Sequence, residues 1–347
     1  MVDGDAAPPP TGLLTLDAAM IRFAVKKFGR LIILLAAVSI CSVLLVDLSP
    51  IDPVSAYVGS DMLLVGPEQR ELIAEKWGLY DPPAVRLWRW LSHAAQGDLG
   101  TSVIYNEPVA WVIGKRFAAS LWLMAGAWVI SGVLGFVLGV VAGTRPDSWY
   151  DRIIRFYAYT LASTPTFWMG LLTLIVFSVW LRLTPICCAA PPGVPLEDAT
   201  IWQRIYHLLL PTITLSVIGI ANVTLHTRQK LIEVLHSDYV IFAHAQGETV
   251  WGIIWHHGLR NIALPAITLQ FASLSELFGG SVLAEQVFSY PGLGQATVEA
   301  GLRSDVPLLL GIVVFSTVFV FVGNTLADLA YGVVDPRIHI GESAPAA

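Results

Sequence analysis

Charge is what this sequence has least of: Asp, Glu, Lys and Arg make up 13% of 347 residues, against 55% apolar side chains and a mean hydropathy of +0.66. A chain this apolar cannot cover its own surface in water, so the bilayer is its natural solvent. With a net charge of −6 and no long basic run, it offers no electrostatic footprint for nucleic acid. Cysteine is equally scarce. Cys41 lies in the first apolar segment and reads as a small hydrophobe, while the adjacent Cys187 and Cys188 read as two unpaired thiols, because a ring closed between neighbours is strained.

The chemistry of catalysis and of nucleotide binding is missing too. "IGKR" at 113–116 has no glycine five residues before Gly114, so there is no Walker-type cradle for ATP. Neither an HExxH motif nor a supported Ser/His/Asp or Cys/His set occurs, and the chain reads as a non-catalytic subunit. Of the eight histidines, His256–His257 and the set His226, His236 and His244 do not place three ligands on one helical face, so no metal site is expected.

Long apolar runs are what is present. Crossing roughly 30 Å of hydrocarbon as a helix takes about 20 uncharged residues. The chain offers six such segments, near 29–48, 117–143, 156–181, 205–225, 262–286 and 306–328. The expected fold class is therefore an all-α integral membrane protein with six transmembrane helices, since a barrel would show short alternating strands instead. Lys and Arg concentrate on one side: Arg22, Lys26, Lys27, Arg30, Arg145, Arg152, Arg155, Arg228, Lys230, Arg260 and Arg337, against Arg182, Arg204 and Arg303 in the opposite short loops. Both termini are thus expected in the cytoplasm of a cell-membrane, multi-pass protein.

The chain divides accordingly. Residues 1–25 read as a flexible cytoplasmic lead, uncleaved because the first apolar segment is too long for a signal peptide. Residues 26–116 hold the first span and an extracytoplasmic segment, in which Trp77, Trp88, Trp90 and Trp111 suggest short amphipathic helices at the outer mouth. A five-helix core over 117–338 and a tail over 339–347 complete the order. Inside the apolar segments, Glu276, Glu285 and Asp328 are the costly residues and hence candidates for a translocation path, with Glu285 and Asp328 close enough to span ends to reach the headgroups instead. Gly279–Gly280, just after Glu276, permits close helix contact or a break. The same carboxylates leave open an ion-coupled secondary transporter.

One polar stretch interrupts the membrane pattern: "DYVIFAHAQGETVWGIIWHHGLRNIALP", Asp238 to Pro265. Its first part reads as a short helix on the inner face, ended by Gly247 in a left-handed conformation. Asp238–Tyr239–Val240, Ala243–x–Ala245–x–Gly247 and His257–x–x–Arg260–Asn261–x–x–x–Pro265 resemble the inner-loop signature of ABC importer permeases for peptides and nickel. The resemblance runs along nearly the whole chain after residue 25, through "GLYDP" at 78–82, "GDLGTS" at 97–102, "DR" at 151–152, "STPTFW" at 163–168, "FSYPGLG" at 288–294, "NTLAD" at 324–328 and "DPR" at 335–337.

That resemblance implies a type I ABC importer permease. It implies partnership with a second homologous permease subunit, two cytoplasmic ATPase subunits that carry ATP and magnesium, and an extracytoplasmic substrate-binding protein, with no cofactor on this chain. It makes the segment at about 236–248 a coupling helix, with Asp238, Tyr239, Ala243, Ala245, Gly247, Arg260 and Asn261 as the coupling residues. Asp238, at the start of that helix, suits the N-terminal dipole and is placed to cap free amides. His244 and Gln246 stand where the family usually has basic residues, so contact with the ATPase would be differently paired here. Peptide and nickel or metal-chelate substrates both fit these motifs, and "SELFGG" at 275–280 leans toward the metallophore branch.

Overall fold

A computed structural model describes residues 12–48, 54, 66–76 and 80–334. Every regular element among them is helical. In chain order these are α1 (Gly12–Asp47), α2 (Pro67–Lys76), α3 (Pro83–Ala94), α4 (Val109–Thr144), α5 (Trp149–Ala162), α6 (Thr166–Thr173) and α7 (Ile201–Leu235). The chain continues through α8 (Asp238–Ala245), α9 (Val250–Ile253), α10 (Leu259–Ala272), α11 (Leu274–Val287), α12 (Leu293–Leu302) and α13 (Val306–Val334). Wider π turns extend α6 over Leu174–Trp180 and join α9 to α10 over Ile254–Gly258.

Four helical segments are long and apolar enough to cross a bilayer alone: Val25–Leu45, Val109–Thr144, Ile201–Leu235 and Val306–Leu329. The two remaining apolar segments are each broken. Trp149–Ala162 and Thr166–Trp180 meet at 108°, and Asn261–Ala272 and Leu274–Val287 meet at 51°. The first break follows from Pro165, whose ring disfavours helical backbone at Thr164 and which becomes the N-cap of α6. The second falls at Ser273, six residues before the Gly279–Gly280 pair that the sequence suggests as a weak point. Six crossings result if each bent pair counts as one.

The central contact is α4 against α7, and its cause is a ladder of small residues. Ala127, Ser131, Gly135, Gly139 and Gly143 recur every four positions and are all buried on one face of α4. A Cβ added at Gly139 would sit 2.6 Å from Thr227 Cβ and 2.7 Å from the Thr224 carbonyl, and one at Gly135 would sit 2.7 Å from Val223 Cβ. Absent side chains let the two backbones close to a distance that larger residues forbid, which is how helices associate where no hydrophobic effect separates them from lipid. Gln270 of α10 locks onto the same helix: its amide donates to the Trp128 carbonyl (2.7 Å) and to Ser131 Oγ (2.8 Å), while Trp128 Nε1 donates to the Gln270 carbonyl (2.9 Å).

Three expectations need correction. Helix α1 begins at Gly12, so residues 12–25 are helical rather than a flexible lead; after Pro10 the chain is rich in Leu and Ala, with no further proline to stop a helix. Cys187 and Cys188 form a disulfide, with Cys188 at φ 75° to accommodate the turn, and the loop is tied down on both sides. Cys188 N donates to the Phe288 carbonyl at 2.9 Å, and His207 Nδ1 lies 3.0 Å from the Cys187 carbonyl. Cys41 is exposed on α1 rather than packed.

Two short helices, α2 and α3, lie in the segment between the first two apolar runs, and of these α3 has the amphipathic pattern. Arg86 on α3 pairs with Asp47 at the end of α1 (2.6 Å), Trp90 Nε1 donates to the Leu99 carbonyl (3.2 Å), and Trp88 is displayed at 74% exposure. Trp77, with Gly78 and Leu79 of the "GLYDP" motif, lies outside the described residues, as do 1–11, the "DPR" at 335–337 and the tail.

Candidate functional site

The polar stretch forms a compact unit at the end of α7. Nothing in Asp238–Ala245 breaks a helix, and α8 runs for those eight residues. Its end is a complete Schellman turn: Gly247 N donates to the His244 carbonyl (3.0 Å) and Glu248 N to the Ala243 carbonyl (3.2 Å), with Gly247 at φ +88°. That conformation crowds the Cβ of any L-residue, so the glycine fixes where the chain leaves the helix. At the other end Ser237, not Asp238, is the N-cap residue. Its side chain makes no capping bond and donates to the Val234 carbonyl instead; Asp238 occupies the first turn, where its charge suits the helix dipole.

Helix α8 has two unequal faces. Val240 and Ala243 are buried in a cluster with Leu231 and Val234 of α7, Ile253 of α9, Ile254 of the following π turn and Ile262 of α10, against which Phe136 and Val140 of α4 also pack. Leu231 is the same residue that fills the space beside Gly143, so the buried face of α8 meets the lower end of the glycine ladder. The other face displays Tyr239 (44% exposed), Ile241 (59%) and Phe242 (65%). Ala245, His244 and Gln246 are exposed as well. Asn261 Nδ2 donates to the Tyr239 hydroxyl at 3.1 Å, joining α8 to α10. Arg260 lies in the first turn of α10, and its side chain is outside the described residues.

A buried ion pair ties α5 to α7 three residues before Leu231. Arg228 of α7 grips Asp151 of α5 through two bonds, Nε to Oδ1 at 2.6 Å and Nη2 to Oδ2 at 2.9 Å, and Asp147 N donates to the same carboxylate at 2.8 Å. The bidentate fork and the backbone donor together satisfy a carboxylate with no exposed surface. Sequence reasoning noted "DR" at 151–152 but missed Arg228, whose partner is 77 positions away and carries no local signal.

The three carboxylates of the apolar segments separate into three environments. Glu285 is fully buried and holds a loop together: Ser120 Oγ of α4 donates to Oε1 (2.6 Å), Gln295 N donates to Oε2 (3.0 Å), and Leu293 N in turn donates to Ser120 Oγ (2.7 Å). A Cβ at Gly292 would overlap the Glu285 carboxyl group, so "FSYPGLG" closes over the carboxylate because it has no side chain there. Tyr290 in that loop is buried, and burial followed by the neighbouring Glu285 charge pushes its hydroxyl up to about 12. In this conformation Glu285 faces neither headgroups nor an open passage. Asp328 pairs with Lys27 of α1. Glu276, in the first turn of α11, is exposed and has no bonded partner among the described residues.

A second tie at the same end is equally invisible in the sequence. Asp305, fully buried before α13, accepts from Ser102 Oγ (2.6 Å), from Ile104 N (3.0 Å) and from Leu308 N (3.1 Å), fastening the "GDLGTS" loop. Tyr105 donates to Glu299 at 2.6 Å, and burial with that bond pushes its hydroxyl up to about 12.

A multi-pass helical membrane protein with a short helix that displays large apolar side chains at one end is the class that these features define. Residues 135–340 match the family described as "Binding-protein-dependent transport system inner membrane component". The oligopeptide transport system permease protein AppB of Bacillus subtilis (strain 168) is 34% identical over 322 residues, covering 92% of this chain and 99% of the relative. The glutathione transport system permease protein GsiC of Escherichia coli O6:H1 is 33% identical over 324 residues, with 92% and 99% covered. Among solved structures, an inward-facing form of the MetNI methionine ABC transporter matches 64% of this chain and 97% of that one at TM-score 0.44 and 17% identity. The chain belongs to the binding-protein-dependent transport system inner-membrane family and is a permease subunit of an ABC transporter.

Proposed function

We propose that this permease is one half of a type I importer for peptides, with six crossings, both termini in the cytoplasm and residues of the outer segment facing the substrate-binding protein. It pairs with a second homologous permease and is driven by two ATPase subunits that hold all the ATP and magnesium. The observation that carries the coupling role is the two-faced α8. Its exposed Tyr239, Ile241 and Phe242 offer an apolar surface to a cytoplasmic partner, and its buried Val240 and Ala243 belong to one apolar cluster with residues of α4, α7, α9 and α10. A displacement of α8 therefore loads three membrane helices together, which is what a two-state bundle biased by nucleotide requires.

Peptide is favoured over nickel or a metal chelate because the relatives named above are permeases for oligopeptides and glutathione. Glu276 is our candidate for the passage, because Glu285 is enclosed by its own bonds and Asp328 is engaged by Lys27. Reconstitution of the complete complex in vesicles tests the reading. Uptake of a peptide delivered by the associated binding protein should require ATP and fall several-fold in Glu276→Gln without loss of assembled complex. Accumulation driven by an ion gradient with no ATPase subunits present would overturn it.

A further inference from the structure

A cleft of about 400 Å³ runs between α1 and α13 at the end of the bundle where Lys27 meets Asp328. Its walls change character along its length. At one end stand Lys27, Arg30, Asn324, Thr325 and Asp328; further along come Leu34, Val320 and Phe321, and beyond them the hydroxyls of Ser316 and Thr317. The charges do not cancel. Asp328 is bonded by Lys27, which also donates to Thr325 Oγ1 at 3.2 Å, whereas Arg30 is exposed and has no bonded partner among the described residues. Asn324 accepts from Ser275 Oγ (2.6 Å) through its carbonyl oxygen.

A cation that opens onto an apolar groove at a span end matches the polarity profile of one kind of molecule, a phospholipid with a net negative headgroup. The phosphate meets the guanidinium, which offers planar, paired donors suited to it, and the acyl chains run along the groove. An apolar helix of another subunit would fill the groove but offer nothing to Arg30, whereas a headgroup phosphate pairs with it. We infer that the α1–α13 cleft is a binding site for an anionic phospholipid, held through Arg30. The leaflet it occupies, the inner one, rests on the proposed orientation; the ligand chemistry does not.

The test uses the assembled transporter in nanodiscs of phosphatidylcholine containing spin-labelled phosphatidylglycerol or spin-labelled phosphatidylcholine, and reads the immobilised fraction of each. Wild type should immobilise the anionic label in preference to the neutral one, and Arg30→Gln should lower that preference about fivefold, the effect of one cation near a lipid surface. Lys115→Gln, a cation remote from the cleft, should leave it unchanged. Equal immobilisation of both labels by wild type, or the same preference in Arg30→Gln, would overturn the site. So would a photo-reactive residue replacing Val320 that cross-links to another protein subunit and not to lipid. Failure of peptide uptake in the same preparations would count against the transport reading and leave the lipid result standing.

Discussion

The two ends of this subunit are built on opposite plans. At the end carrying "FSYPGLG" and "GDLGTS", two fully buried carboxylates, Glu285 and Asp305, each gather donors from distant parts of the chain, and the loop over Glu285 closes with glycine where a side chain would not fit. At the α8 end one buried carboxylate, Asp151, ties α5 to α7 through Arg228, but α8 itself is held by two buried apolar side chains, a glycine turn and the hydrogen bond from Asn261 to Tyr239, with three large hydrophobics left outside. The first plan fixes geometry, because a satisfied buried carboxylate tolerates little displacement. The second leaves surface available and makes the element depend on what covers it. Under the proposed coupling role, a displacement of α8 would pass into the apolar cluster it shares with α4, α7 and α10 while the other end keeps its loops in place.

Substitutions at the two ends should separate accordingly. Glu285→Ala leaves Ser120 Oγ and Gln295 N without their acceptor, a loss on the order of 3 kcal/mol. The solubilised complex should melt several degrees lower and peptide uptake should fall further than in any single variant at the α8 end, with Glu285→Gln recovering part of both. Unchanged melting of Glu285→Ala would mean that the tie is dispensable. At the α8 end, Gly247→Val forces a β-branched residue into left-handed backbone at about 2 kcal/mol, local to the loop. Membrane insertion and the yield of the subunit should stay near wild type while ATP-dependent uptake drops steeply; full transport by a well-expressed variant would remove the turn from the mechanism. The smallest effect belongs to Tyr239→Phe. It deletes one partly exposed hydrogen bond to Asn261, worth about 0.5 kcal/mol, and uptake should change by about twofold or less.

Legibility in the sequence differs between the same two ends. The α8 unit is local, and its helix, its glycine exit and its place between apolar segments follow from consecutive residues 237–248. Only the N-cap moves, by one position, from Asp238 to Ser237. The Glu285 and Asp305 ties could not be read, because Ser120 lies 165 residues from its carboxylate and Ser102 lies 203 from its own. Without those partners Glu285 looks like any carboxylate near a span end. The breaks at Pro165 and Ser273 divide segments that hydropathy alone runs together, since an average over about 20 residues does not register one proline. The glycine ladder is a different case: its period of four from Ala127 to Gly143 is present in the sequence, and its partner Thr227 becomes evident only when α7 is laid against it.

The claim at the centre is that α8 is where motion from the ATPases enters this chain. The direct measurement places a photo-reactive benzophenone side chain at Phe242 in the assembled transporter and compares cross-linking without nucleotide and with bound ATP. The account predicts a covalent adduct with an ATPase subunit whose yield changes with nucleotide state. An adduct with lipid alone, while the ATPase subunits co-purify, would contradict it.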